Sequence, residues 1–225
     1  MTENLTATTH HPAQLRIALP KGRLQKVILQ TLGDRGPSNI DLASRALVLT
    51  GRQPSLSFVL VKDPDIASYV ERGAADIGVV GLDQLREHGG DVLEPLTTSF
   101  GACRMCLCSR PDIDLQALAR RGVLRVATKY PKLAREALAP RGLVAEIIAL
   151  QGSVELAVMV DLADAIVDLV ETGATLRANG LVVRDELFAV SARVIVNRAS
   201  WRLKHAAVQD LLSLLSGGGE IDAST

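Results

Sequence analysis

Aromatic residues are nearly missing from this chain: one Trp, two Tyr and three Phe among 225 residues. There are few rings to stack on bases. With 25 basic against 25 acidic residues there is also no cationic surplus for a phosphate backbone. Nucleic acid is thereby excluded as the principal partner. No apolar run reaches the ~18–20 residues of a membrane-spanning helix, which argues against a membrane protein. The opening MTENLTATTHHPAQ lacks the basic start, apolar stretch and cleavage site of a secretory leader, so a cytoplasmic location is expected. Cysteine is scarce as well. Cys103, Cys106 and Cys108 are odd in number and come without a leader, which argues against a disulfide framework. The four histidines are scattered at 10, 11, 88 and 205, and no Ser-His-Asp or Cys-His arrangement stands out.

What is present is aliphatic. Apolar residues make up 48% of the chain, mostly Val, Leu, Ile and Ala, the composition of helix-covered parallel sheets. Short apolar runs predict strands at 15–19, 46–49, 56–61, 76–80, 102–108, 124–127, 144–148, 165–170 and 191–196. Helical spacing is seen at 24–32, 66–71, 115–120, 132–138, 153–159 and 201–215. This alternation predicts a parallel-rich α/β fold in two lobes with a cleft between two small sheets. Residues 15–101 plus 186–216 form the expected first lobe and 102–185 the second. Residues 1–14 and 217–225 are expected to be flexible tails.

Four segments carry candidate chemistry. In Asp168–Leu176 a strand closes on an acidic residue and a Thr-Gly-x-Thr turn follows. A carboxylate at a strand end can accept bonds from two sugar hydroxyls. Gly173 admits close backbone approach, and the N–H groups with Thr172 and Thr175 can cradle a phosphate beside Glu171 and Ala174. The plainer alternative is a helix start capped by Thr172. The turn Pro20-Lys21-Gly22-Arg23 directly follows the first strand, where α/β sheets bind ligands. Its two cations can hold phosphate or pyrophosphate, or form an ordinary solvated turn. Lys62-Asp63-Pro64-Asp65 occupies an equivalent junction. There Asp65 either caps a helix or bonds a base amino group or sugar hydroxyl. Gly152 and Ser153 begin a further helix, as an anion site or as a cap with Glu155 nearby. The C-x2-C-x-C cysteines place Cys106 and Cys108 on one strand face and Cys103 on the other. Burial explains them better than metal binding.

Together these segments resemble the short form of ATP phosphoribosyltransferase, the enzyme that begins histidine biosynthesis. The resemblance rests on LPKGRL at 19–24, DIASYVERGAADIGVVGLD at 65–83, VATKYPKLARE at 126–136, GSVELA at 152–157, ADAIVDLVETGATLRANGL at 163–181 and SARVIVNRAS at 191–200. It covers about 15–215, and the segment 163–181 is the most specific. The chain departs from the family pattern at Lys62, where Arg is usual, and at Asp63, where a small or hydrophobic residue is usual.

The resemblance implies the two-lobed fold of periplasmic binding proteins, type II. It also implies a reaction, attack of adenine N1 of ATP on C1 of phosphoribosyl pyrophosphate with loss of pyrophosphate. On the family pattern, Asp168, Glu171, Thr172, Gly173, Ala174 and Thr175 hold the ribose phosphate. Lys21, Gly22, Arg23, Lys62, Asp65, Gly152 and Ser153 line the ATP side. Arg23 and Arg45 face the pyrophosphate, Arg45 from across a homodimer interface. Arg23, Arg45 and Asp168 are the residues expected to carry catalysis. Magnesium is expected to arrive on the substrate phosphates, with no metal ligands of the protein's own. The short form implies a hetero-oligomer with a regulatory subunit resembling histidyl-tRNA synthetase, because 225 residues leave no room for a histidine-sensing domain. The rival readings are a solute-binding protein of the same fold and another phosphoribosyltransferase with a similar loop.

Overall fold

The computed structural model describes residues 14–37, 47–53 and 55–217. Arg45, Ala46 and all but one residue of each expected tail lie outside them. In chain order the elements are β1 (Leu15–Leu19), α1 (Arg23–Leu32), β2 (Val48–Thr50), β3 (Leu56–Leu60), α2 (Ile66–Glu71), β4 (Ile77–Gly81), α3 (Leu82–His88), β5 (Leu93–Thr97), β6 (Cys103–Ser109) and α4 (Leu115–Arg121). There follow β7 (Leu124–Thr128), α5 (Pro131–Leu138), β8 (Ala145–Ala149), α6 (Glu155–Met159), β9 (Ala165–Val170), α7 (Ala174–Ala178), β10 (Val182–Val190), β11 (Ala192–Val196), α8 (Arg198–Leu203) and α9 (His205–Leu215).

These form two units. One holds the described residues up to Val80, Gly90–Phe100 and those from Arg193 onward. The other holds Gly81–Gly89 and Gly101–Ala192. The short stretch 81–89, Gly101 and residues 186–192 thus fall with the second unit, whereas the sequence suggested the first.

The first unit is built on a sheet of order β2-β3-β1-β4-β11-β5. Strand β1 runs parallel to β3 and β4, while β2 and β5 are antiparallel to their neighbours. Phe58, Ile17, Ile77, Val194 and Ile28 are almost fully buried. Each such side chain contributes about 1.5–3 kcal/mol of transfer free energy. Helix α2 lies so close to β4 that a Cβ on Gly78 would stand 2.8 Å from methyls of both Ile66 and Val70.

The predicted helix 201–215 is two helices. Lys204 breaks it, with φ −124° and ψ 28° outside the helical region. The break lets its Nζ reach both oxygens of Asp76 at 2.9 Å and the carbonyl of Gln14 at 2.8 Å. Asp76 also accepts the Arg16 N–H at 2.8 Å and the Ser200 hydroxyl at 2.6 Å. This buried polar knot ties the end of the chain to the start of the sheet.

The second unit carries the sheet β10-β6-β9-β7-β8. Strands β9, β7 and β8 are parallel, and β6 and β10 antiparallel. Both sheets are therefore mixed rather than parallel-rich. The strands missing from the prediction, β5 and β10, lie at sheet edges. Pro95 and the charges Arg184, Asp185 and Glu186 hide their periodicity, as edge strands commonly do.

Strand alternation sorts the second unit's interior into two layers. Met105, Leu107, Val126 and Val167 pack with Leu133, Leu138 and Leu82 on one face. Cys106, Cys108, Ala127 and Ile166 pack with Val154, Val158 and Leu176 on the other. Cys103 sits against the first face. The alternation expected of the cysteines is what the strand shows. Burial raises the Cys106 thiol and pushes that of Cys108 up to about 12, so both behave as small apolar side chains.

Candidate active site

Parallel strands present their carboxyl ends on one edge, and loops leaving that edge are free to carry function. In the first unit β1 and β3 run in register from Leu15↔Leu56 to Leu19↔Leu60, and Val61 N–H reaches the Leu19 carbonyl at 3.0 Å. The turn Pro20–Arg23 and the turn Lys62–Asp65 are thus side by side. Lys21, Gly22, Arg23, Lys62 and Asp65 are all exposed. Gly22 adopts φ +90°, ψ −139° immediately before α1, a conformation open to glycine alone, although a Cβ there would meet nothing within 4 Å. No side chain caps the first N–H groups of α1. Asp65 occupies the position before α2, yet its carboxylate makes no capping bond. The plainer reading of Asp65 as a side-chain cap does not hold.

The second unit repeats the arrangement on β7, β8 and β9. Leu150 N–H bonds the Thr128 carbonyl at 2.9 Å, which sets the Gln151–Ser153 turn beside the end of β7. Strand β9 continues past the last register pair, Thr128↔Val167, and carries Asp168 at the same edge. Asp168 is opposite Cys106, on the face shared with Ile166 and Val170. It sits inside the strand rather than at its last residue. Its Oδ1 accepts the Leu169 N–H at 2.8 Å. Burial holds its carboxyl above the usual carboxylate range, against the opposing pull of that N–H and of Lys129. Glu155 and Asp83 push it higher still.

Beyond Val170 the chain turns through exposed Glu171 and Thr172 to Gly173, which takes φ +71°. Gly173, not Thr172, is the residue before α7. The Thr172 hydroxyl instead accepts the Ala174 N–H at 3.3 Å. Its carbonyl is held by the Arg177 guanidinium at 3.0 Å. A Cβ on Gly173 would stand 3.1 Å from that guanidinium. The result is an open turn, with Ala174 and Thr175 exposed at the start of α7.

Gly152, Ser153 and the Asp168–Thr175 segment are therefore brought together, as are Lys21–Arg23 with Lys62–Asp65. The two sets belong to different units. Ser153 makes no cap, since Val154 precedes α6 and no side chain bonds its first turn.

Sequence reasoning missed the groups that support this edge. Thr128 is buried, donates to the Val167 carbonyl at 2.7 Å and accepts the Tyr130 N–H at 2.9 Å. Glu87 of α3 accepts the N–H groups of Lys132 and Leu133 at 2.9 and 3.0 Å, capping α5. Asp83 and Tyr130 are both buried, and the Gln84 amide joins them at 3.0 and 3.5 Å. Burial and the nearby Asp83 raise the Tyr130 phenol far above its ordinary value. Lys129 was also passed over, although it stands two residues beyond the predicted strand 124–127 and directly follows β7. No local motif marks the others, because each acts through a partner distant in sequence.

A cavity of 680 Å³ in the same unit is lined by Leu107, Ile113, Leu143, Arg141 and Arg184, among others. None of its lining residues is a sequence-derived candidate. Among the described residues no group of three or more His, Cys, Asp or Glu is placed to hold a metal ion. None of the described helices is long and apolar enough to cross a membrane.

Comparison with known proteins agrees with this geometry. Residues 62–217 match the family model described as "HisG: ATP phosphoribosyltransferase". An ATP phosphoribosyltransferase of Chromobacterium violaceum is 43% identical over 208 residues, covering 91% of this chain and 98% of its own. That of Clostridium acetobutylicum is 45% identical over 200 residues, covering 88% and 92%. The solved "ATP phosphoribosyl transferase (HisG:HisZ) complex from Thermotoga maritima" superposes with a TM-score of 0.77 at 32% identity, covering 91% of this chain and 98% of that one. The Escherichia coli periplasmic aliphatic sulphonate binding protein SsuA shares the fold, with a TM-score of 0.60 at 17% identity over 92% of this chain and 69% of its own. The fold is thus the two-lobed type II architecture of periplasmic binding proteins, and the chain belongs to the ATP phosphoribosyltransferase family.

Proposed function

We propose that this protein transfers the 5-phosphoribosyl group of phosphoribosyl pyrophosphate to N1 of ATP, releasing pyrophosphate, as the first step of histidine biosynthesis. The observation that carries the reading is the Asp168–Thr175 segment. It joins a carboxylate at a strand edge to an open glycine turn, in a chain 43% identical to a named ATP phosphoribosyltransferase over 91% of its length.

The roles follow from the chemistry. As the C1–O bond to pyrophosphate lengthens, positive charge grows on the sugar and negative charge on the leaving group. Asp168 accepts the ribose hydroxyls and lies on the side of the developing cation. Glu171, Thr172, Gly173, Ala174 and Thr175 wrap the 5-phosphate, using backbone N–H groups and hydroxyls. Lys21, Gly22, Lys62, Asp65, Gly152 and Ser153 receive ATP. Arg23 and Arg45 stabilise the departing pyrophosphate, where charge that develops only in the transition state rewards a placed cation. Adenine N1 has a free lone pair, so no strong base is required. A magnesium ion brought in with the substrate would supply charge neutralisation at the leaving pyrophosphate, while Arg23 and Arg45 are the protein groups that act there.

Residues 15–101 with 186–216 serve as the first lobe and 102–185 as the second, apart from the small boundary differences described above. The enzyme works in the cytoplasm as a homodimer, within a hetero-oligomer containing a HisZ-like, histidyl-tRNA synthetase-related subunit. The Thermotoga complex supports that assembly. A plain solute-binding role has only the fold in its favour, since SsuA is 17% identical. Incubation with ATP, phosphoribosyl pyrophosphate and magnesium, with and without a HisZ-like subunit, tests the reading. Pyrophosphate release that requires both substrates is expected. Ligand binding with no release under either condition would favour the solute-binding role.

A further inference from the structure

Loops that receive a phosphorylated sugar should be cationic, yet this edge of the second unit is acidic. The carboxylates of Glu155 and Asp83 both act on Asp168 there, and exposed Glu171 opens the turn. Nearby cations are largely committed elsewhere. Arg177 donates to the Thr172 carbonyl at 3.0 Å, and Lys132 to the Arg86 carbonyl at 2.9 Å. An anion with several negative charges would be repelled by this surface unless another cation faced it.

Lys129 is in the right place. Strands β7 and β9 pair as Val126↔Ala165, Ala127↔Ile166 and Thr128↔Val167. Strand β7 ends at Thr128, the partner of Val167, so Lys129 and Asp168 are the next residues of the two segments at this edge. Ala127 lies two residues before Lys129 and packs on the same face as Ile166, two residues before Asp168. Asp168 lies on that face, and the charge of Lys129 acts on its carboxyl. Lys129 is exposed, and among the described residues it makes no hydrogen bond or ion pair. An unbonded ammonium beside a half-buried carboxylate is available to a ligand.

We propose that Lys129 is a substrate-binding residue of the phosphoribosyl site. It keeps Asp168 ionised for the ribose hydroxyls and receives an anionic oxygen of the phosphorylated sugar. This rests on the phosphoribosyl-transfer reading above and adds a residue to it. The groups facing Asp168 are Lys129 of the β7 end, Glu155 of α6, Asp83 of α3, Tyr130, and the thiols of Cys106 and Cys108 on β6. Lys129 is the only cation of that set. Its removal therefore raises the Asp168 pKa. Binding that needs the carboxylate then fails at a higher pH.

The test compares wild type, Lys129→Met and Lys129→Arg. Binding of ribose 5-phosphate and of inorganic pyrophosphate is measured by calorimetry, and steady-state kinetics are measured across pH. Lys129→Met should weaken ribose 5-phosphate binding about 10–100-fold, the effect of one charge-assisted contact. Pyrophosphate binding should weaken less if the ammonium serves the 5-phosphate, and more if it serves the leaving group. KM for phosphoribosyl pyrophosphate should rise with KM for ATP within about twofold. The acid limb of kcat/KM should move up by at least about half a pH unit. Lys129→Arg should restore most of both effects, and melting temperatures should match. Wild-type-like binding of both ligands by Lys129→Met would overturn the inference even if turnover is confirmed. So would failure of the wild type to bind either ligand. Loss of binding in Lys129→Met, in a protein with no ATP-dependent turnover, would support this site and reject the proposed reaction instead.

Discussion

Replacing Asp168 with Asn removes one charge and little else. The Leu169 N–H, 2.8 Å from Oδ1, can be retained by the amide oxygen. Burial makes the ionised carboxylate unfavourable in the folded state, because its pKa is raised rather than lowered. The sign follows directly. A carboxyl whose folded value exceeds the unfolded one, near 3.9, destabilises the fold at any pH above that value and does not do so below it. Asp168→Asn should therefore leave the melting temperature at pH 7 unchanged or slightly raised. Its effect on substrate should be the reverse. Two ribose hydroxyls that donate to a charged acceptor would donate to a neutral one. One hydrogen bond to a charged group is worth about 1.5–3 kcal/mol. At 1.4 kcal/mol per factor of ten, affinity should fall about 10–150-fold. Differential scanning fluorimetry supplies the first measurement. Steady-state kinetics with phosphoribosyl pyrophosphate varied at saturating ATP supply the second. A variant with unchanged melting temperature, KM and kcat would show that Asp168 takes no part in sugar binding. A sharply lowered melting temperature would show that the carboxylate is structural.

Three further perturbations separate the turn, the scaffold and the acid response. Gly173→Ala forces a side chain into φ +71° and against the Arg177 guanidinium, so it should cost about 1 kcal/mol in the loop. KM for phosphoribosyl pyrophosphate should rise severalfold while that for ATP holds. Asp76→Ala leaves the Lys204 ammonium buried beside an empty place, at a cost of about 3–5 kcal/mol. A fall in melting temperature on the order of 10 °C is expected, and a fall below about 3 °C would contradict it. Asp164 is held below the usual carboxylate range by its bonds from Arg125, at 2.7 and 3.2 Å to the guanidinium and 2.9 Å to the backbone N–H. Its stabilisation is complete above the unfolded value near 3.9 and is lost as pH falls through the lowered folded value. Because the Arg125 side chain is 40% exposed, the pair is worth no more than ~1 kcal/mol. Asp164→Asn should melt about 2–4 °C below wild type at pH 7, and the gap should close as pH falls through the lowered folded value.

Much of the fold was legible in the sequence because its interior strands are short apolar runs. Leu15–Leu19 and Ala165–Val170 coincide with their predicted bounds. What escaped has a physical cause in each instance. Strand β10 is a charged edge that needs β6 as its template, and α3 is a seven-residue helix between glycines. The Lys204 break depends on Asp76, which is 128 residues away. The candidate site shows the same division. Segments 20–23, 62–65, 152–153 and 168–175 were visible because a strand end followed by Gly, Ser, Thr or charge is a local signal. Lys129, Asp83 and Tyr130 matter through register and packing, which no local pattern displays. Thr172 also shows where propensity misleads: a threonine before a helix suggests a cap, but the left-handed Gly173 takes the position.

The central claim concerns which bond is made, and isotopes report it directly. The enzyme is supplied with ATP labelled with ¹⁵N at adenine N1 and phosphoribosyl pyrophosphate labelled with ¹³C at C1, with magnesium and a HisZ-like subunit present. The account predicts a new product whose NMR spectrum shows one-bond coupling between the two labels, formed in step with pyrophosphate. Pyrophosphate released without that coupling, or no turnover at all from folded protein, would contradict it.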